Sequence, residues 1–197
     1  MIHDLYTLMQ PIYPLLIQQW VDDYGLSEGI AADIGTGPGR LGLELAKLTP
    51  MHIQFVDSNQ ETLETAKANF DTLQPDNTSE FIHADVQNLP MADNTVDFVM
   101  SRGSIWFWDK PDMGLREIYR ILKPGGIAVI GGGLGRYMPD SMRNRLFDAM
   151  QNALKRRNET RPSLQEYKEI VKKAHLPNYR MFTDGNSKTG RWVEITK

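Results

Sequence analysis

A chain of 197 residues has the length of one domain with a sizeable core, and its 41% hydrophobic and 24% charged residues sit near the globular average. A net charge of −3 gives no electrostatic footing for a nucleic-acid or membrane partner. Without cysteine, disulfides, thiolate metal sites and cysteine nucleophiles are excluded.

The N-terminal stretch "MIHDLYTLMQPIYPLLIQQW" lacks a basic segment, and acids and prolines interrupt its apolar runs. It reads as neither a signal peptide nor a membrane span, so a soluble, cytoplasmic protein is expected. "IAADIG" is a short apolar run that predicts a first strand, and "LGLELAKL" after it has helical spacing. "HIQFVD" predicts a second strand and "NQETLETAKANF" a second helix, with Asn59 as its N-cap and Glu61 and Glu64 near its positive end. "SEFIHAD" and "TVDFVMS" predict the third and fourth strands. "PDMGLREIYRIL" predicts a helix that stops at "KPGG", and "IAVIGGG" then predicts a fifth strand. The tail holds two helices near 140–157 and 163–174, then "NYRMFT" and "GRWVEIT" as two more strands. Apolar strands alternating with helices imply a doubly wound α/β domain, a parallel sheet covered on both faces.

The stretch "AADIGTGPGRLG" places glycines at 35, 37, 39 and 42, just after Asp33. It lies at the C-terminal end of the first strand and opens the first helix, where open parallel sheets bind ligands. "GPGRLG" satisfies G-x-G-x-x-G, a weak pattern alone. Asp57 closes the second strand, where a carboxylate accepts from both ribose hydroxyls of an adenosine. Asp85 is expected to end the third strand, within reach of an adenine amine. A nicotinamide dinucleotide would set pyrophosphate on the helix N-terminus. Asp33 suits that anion poorly and suits the ammonium group of S-adenosylmethionine.

At these residues the chain resembles the class I S-adenosylmethionine-dependent methyltransferases. "DIGTGPG", "FVDSN", "ADVQNLPM" followed by "DNTVDFVMS", and "REIYRILKPGGIAVI" carry the resemblance, over about residues 28–131. It implies a Rossmann-like seven-stranded mixed sheet, order 3-2-1-4-5-7-6 with the seventh strand antiparallel, and one domain over 1–197. Residues 1–27 would form a helical lid and 28–197 the cofactor-binding core. Carried over, the backbone of Gly35, Thr36 and Gly37 would line the methionine and ribose of S-adenosylmethionine. Asp33 would help hold the amino group, Asp57 the ribose, and Ser58 would flank the adenine. Asp85 would meet the adenine amine by its carboxylate, and Val86 the ring by its amide. Ser101 and Arg102 would face the methionine end and the acceptor.

Methyl transfer from a sulfonium is an in-line displacement, so positioning and desolvation supply most of the catalysis. A base is needed only for an acceptor that keeps its proton. His83 is expected to be structural, and His52 and His175 lie away from the site; His3 reaches it only under a closed lid. No pair of the four histidines has metal-ligand spacing, and without cysteine no metal is expected. In "SRGSIWFWDKPDMG" Arg102 and Trp106 are expected to border the acceptor pocket, while Phe107 and Trp108 either join them or pack at a helix start. Arg102 would clamp a carboxylate or phosphate, or pair with Asp109 or Asp33. The glycine run in "IGGGLGRYMPD" is expected to lie close against a ligand, with Tyr137 as a polar contact. No N-P-P-Y or D-P-P-Y run follows the fourth strand, and so little chain follows the fifth that a small-molecule acceptor is favoured. Two other classes stay open: a non-catalytic S-adenosylmethionine sensor or accessory subunit, and an NAD(P)-dependent oxidoreductase.

Overall fold

Apolar β-branched and aromatic residues build the strands, and glycines or capping residues punctuate them. The computed structural model describes residues 9–158, 161–185 and 189–197. Helix α1 (Ile12–Tyr24) leads into β1 (Ile30–Ile34), α2 (Arg40–Leu48), β2 (His52–Asp57), α3 (Gln60–Leu73) and β3 (Ser79–His83). Then follow β4 (Val96–Arg102), a 3-10 turn (Ile105–Phe107), α4 (Pro111–Ile121), β5 (Leu122–Gly132), α5 (Asp140–Arg157), α6 (Leu164–Lys173), β6 (Tyr179–Phe182) and β7 (Arg191–Thr196). The Asn59 side chain accepts from Thr62 N and caps α3 as its sequence implies.

The seven strands form one sheet in the order β3-β2-β1-β4-β5-β7-β6. The pairs among the first five are parallel, and β7 runs antiparallel to both β5 and β6. Side chains alternate across the sheet with period two. Ala32, Ile34, Val99, Ala128 and Ile130 face α4 and α6, meeting Leu115, Ile118, Tyr167 and Val171. Ala31, Phe55, Phe98, Met100 and Val129 face α1, α2 and α3. Helix α1 is part of this second layer: Leu16, Ile17 and Trp20 are buried, and the Trp20 ring meets Trp192 and Phe98 edge-on. A third, smaller cluster joins Ile12 to Leu134, Met138 and Leu146, so α5 lies against the start of α1, close to the strand ends.

Two boundaries differ from the sequence reading. β3 ends at His83, which leaves Asp85 in the following loop, its carboxylate accepting from Gln87 N. β5 begins at Leu122, directly after α4, and runs through the "KPGG" segment expected to stop the helix and precede the strand. Leu122 pairs with Val96, and the register then slips between Val96 and Phe98. Gly125 absorbs that slip at φ 84°, a left-handed conformation that glycine adopts without strain. His3 and Tyr6 lie outside the described residues.

Candidate functional site

The site grows out of the carboxyl ends of β1, β2 and β4. Gly35 N and Thr36 N both donate to Val56 O, which turns the chain tightly off β1. Below this turn Asp33 is 1% exposed, and one of its oxygens accepts from the Thr36 hydroxyl at 2.7 Å and Gly42 N at 3.1 Å. Burial pushes the Asp33 carboxyl up to about 6, although those two hydrogen bonds oppose the rise. The motif glycines divide their work. A Cβ on Gly42 would lie 2.2 Å from the Phe55 ring, so its role is helix-to-strand packing. Gly37, at φ 56°, has nothing within 4 Å of that position and fronts open space. Its N–H donates to one oxygen of Asp57 at 2.9 Å, while the other accepts from Asn59 N.

Three cavities border this loop, and a fourth adjoins the first of them. The main one, about 480 Å³, is lined by Gly35, Gly37, Asp57, Ser58, Arg102 and Gly103 from the strand ends. Gly103, like Gly37, leaves the space where a Cβ would stand open, so two bare backbones front the cavity. A slot of about 150 Å³ extends from it past Asp57 and Ser58 to Ala84, Asp85, Val86 and Gln87, with Phe107 and Trp108 on its other side. A third, about 140 Å³, lies between Asp33, Thr36, Gly37, Tyr13, Arg40 and Arg102. There the Tyr13 ring has the Arg40 guanidinium at 5.3 Å and that of Arg102 at 5.4 Å. The fourth, about 360 Å³, lies beyond β5 and α5 and shares Met150, Leu154 and Arg161 with the main cavity.

The structure thus brings Gly35, Thr36, Gly37, Asp57, Ser58, Asp85 and Val86 around three adjoining cavities, with Asp33 on the smallest. Ser101 is fully buried, and its hydroxyl pairs with that of Ser104, which also donates to Ile34 O. Its side chain therefore holds the β1 and β4 ends together. Arg102 does not pair with Asp109 or Asp33: its Nε donates to Gly133 O at 3.0 Å, and it forms no ion pair among the described residues. Burial lowers its pKa from the ordinary value, opposed by Tyr13 and Asp184 and assisted by Arg40.

Arg102 and Trp106 part company, since Arg102 lines the main cavity and Trp106 the fourth. Tyr137 lies apart from all four cavities, and its hydroxyl donates to Asp22. Of the glycine run, Gly131 packs on the Arg191 backbone and Gly133 on the Asp184 carboxylate, while Gly132 and Gly133 both border the fourth cavity. His83 meets Ser58 O and His52 the Thr78 hydroxyl, each outside the cavities.

Phe107 and Trp108, which the sequence leaves open between the acceptor pocket and packing at a helix start, both line the slot beside Asp85. A Cβ on Gly114 of α4 would lie 2.9 Å from the Trp108 ring, so that glycine makes room for the indole. Phe107 is 74% exposed at the mouth, an aromatic surface that packing alone does not explain. Tyr13, Met150, Leu154 and Arg161 were also missed, and no local pattern marks them.

A family model described as "Methyltransferase domain" matches residues 32–130, half of the chain and the part that carries these loops. The chain is 31% identical, over 76% of its length and 41% of the relative's, to 2-methyl-6-phytyl-1,4-hydroquinone methyltransferase 1 of Oryza sativa. It is 32% identical, over 51% of its length and 36% of the relative's, to the malonyl-[acyl-carrier protein] O-methyltransferase of a Marinomonas species. It spans less than half the length of these curated relatives. A solved S-adenosyl-L-methionine-dependent methyltransferase fold from Methanococcus maripaludis superposes with a TM-score of 0.83 at 30% identity, covering 98% of this chain and 88% of that one. With the family model matching half of the chain and the fold in agreement, the chain belongs to the S-adenosylmethionine-dependent methyltransferases.

Proposed function

We propose that this enzyme methylates a small molecule, and that its two larger cavities divide the work, cofactor in one and acceptor in the other. The observation that carries this reading is their junction: Met150, Leu154 and Arg161 belong to both walls. A volume of about 360 Å³ suits a small ligand, at the lower end of ordinary ligand pockets. The names of the two curated relatives, a hydroquinone and a malonyl-carrier methyltransferase, support an acceptor outside the nucleic acids.

S-adenosylmethionine supplies a methyl group on a cationic sulfur, which an acceptor lone pair takes by in-line displacement. The chain's own residues bind, orient and exclude water. The open backbone at Gly35 and Gly37 would lie along the methionine and ribose, and Asp57 would turn from the Gly37 amide to the ribose hydroxyls. Asp85 and Val86 would hold the adenine edge, with Phe107 and Trp108 against its face. Asp33 would stay ionised beside the amino group, while Arg102 and Arg40 offer positive charge to the carboxylate. Segment 1–27 would close the cleft only through its first part, because Ile17 and Trp20 are core residues. Among the described residues no helix is long and apolar enough to cross a membrane.

Incubating the protein with a cell's small-molecule pool and methyl-labelled S-adenosylmethionine tests the proposal by mass spectrometry. One labelled small product is expected. Stoichiometric binding of the cofactor with no labelled product would instead identify a sensor or accessory subunit.

A further inference from the structure

The fourth cavity contains a polar group with no partner. Trp106 Nε1 is buried and has no hydrogen-bond acceptor in the structure, a cost that native proteins seldom leave unmet. Its direction is fixed, because the indole packs edge-on against Tyr167 at 5.0 Å, and the Tyr167 hydroxyl is anchored on Ile130 O. The point where a Cβ on Gly132 would stand lies 3.5 Å from Trp106 Nε1 and 3.6 Å from an Arg161 guanidinium nitrogen. Two donors, one of them cationic, thus converge on the cavity wall at Gly132, which sets no side chain between them.

The surrounding charge has one sign. Lys155, Arg161 and Arg191 line this cavity, and no acid is among its described lining residues, in a chain of net charge −3. Asp184, packed against Gly133 and Gly190, accepts from Leu134 N, Gly135 N and the Trp192 indole and pairs with Arg143 at 3.9 Å. The remaining wall is apolar, formed by Leu134, Phe147 and Met150.

We propose that the acceptor is a small amphiphilic anion whose carboxylate or phosphate sits over Gly132, between the Trp106 indole N–H and the Arg161 guanidinium. Its apolar body lies on Leu134, Met150 and Phe147, with the atom to be methylated directed past Leu154 toward the cofactor cavity. Arg102, the residue the sequence put forward for this anion, stands on the cofactor side of the junction. The assignment of an acceptor rests on the methyl-transfer reading; the preference for an anion stands on the cavity itself.

The test uses the whole protein, with and without saturating S-adenosylhomocysteine, titrated by fluorescence with 8-anilinonaphthalene-1-sulfonate and its uncharged analogue N-phenyl-1-naphthylamine. The sulfonate is expected to bind once per chain and at least about tenfold more tightly than the neutral dye. Phenylacetate and phenyl phosphate are then competed against it, and the stronger competitor names the natural anion. Trp106→Phe keeps the ring on Tyr167 and loses the donor. Gly132→Ala adds a methyl at ordinary contact distance and occupies the anion's place. Each should weaken the sulfonate by about fivefold or more with S-adenosylhomocysteine affinity unchanged, so loss of the site is separable from loss of the fold. Equal affinity for the two dyes, or unchanged sulfonate binding in both variants, would overturn the proposal. Failure to bind S-adenosylhomocysteine would overturn the methyl-transfer reading alone, since the dye preference is also measured without it.

Discussion

Replacing Asp33 by asparagine should make the protein more stable and a poorer cofactor binder at once. In an unfolded chain this carboxyl has its ordinary value of 3.8, whereas burial raises it to about 6 in the fold. Between those values the folded chain keeps a proton that the unfolded chain has lost, so stability falls as pH rises through the window. Below the window both forms are protonated and nothing is lost; above it the whole penalty stands, about 3 kcal/mol at 1.36 kcal/mol per pH unit. Asparagine imitates the protonated acid and still offers an oxygen to the Thr36 hydroxyl and Gly42 N. At neutral pH the variant should therefore melt several degrees higher than the parent, up to about 10 °C for a chain of this size, and the gap should close toward pH 4.

The same ionised carboxyl is what an ammonium group needs, so S-adenosylhomocysteine should bind the variant about tenfold or more weakly. In the parent, affinity should rise from about pH 5 to about pH 7 as Asp33 ionises, and in the variant this rise should be absent. Calorimetric melting and titration calorimetry across that range measure both. An asparagine variant that melts lower at neutral pH and binds like the parent would refute the reasoning and leave Asp33 as a staple for the glycine turn.

Asp57→Ala should cost about 1.5–3 kcal/mol of cofactor affinity, and about 1 kcal/mol of ligand-free stability because Gly37 N and Asn59 N lose their acceptor; titration calorimetry paired with urea unfolding separates the two. Gly42→Ala drives a methyl into the Phe55 ring and should fail to fold, whereas Gly37→Ala meets open space, should fold with about 1 kcal/mol of left-handed strain, and should lose cofactor binding. Circular dichroism and a binding titration decide between them. Phe107→Ala should leave the melting temperature unchanged, since the ring is exposed, and weaken adenosine-containing ligands several-fold in the same titration. Asp184→Ala strands Leu134 N, Gly135 N and the Trp192 indole, and should cost about 3–5 kcal/mol in chemical denaturation.

Much of this molecule is written locally in its sequence. Strand period, the Asn59 cap and the glycine turn act over a few residues, so "HIQFVD" and "NQETLETAKANF" read as β2 and α3 with nearly their observed bounds. The ends of parallel strands share one edge of a sheet, and that topological fact alone puts Gly37 and Asp57, 20 positions apart, within hydrogen-bond distance. Tertiary packing decided the rest. Nothing local tells that Gly131 and Gly133 pack on Arg191 and Asp184 while Gly132 faces Trp106 and Arg161, or that Trp106 lines a different cavity from Arg102. Nor could the sequence join Met150 and Arg161 to the site, because α5 and the loop after it meet the strand ends only once the sheet is assembled. A short-range pattern fixes backbone conformation, but which side chains share a cavity depends on contacts between residues tens of positions apart.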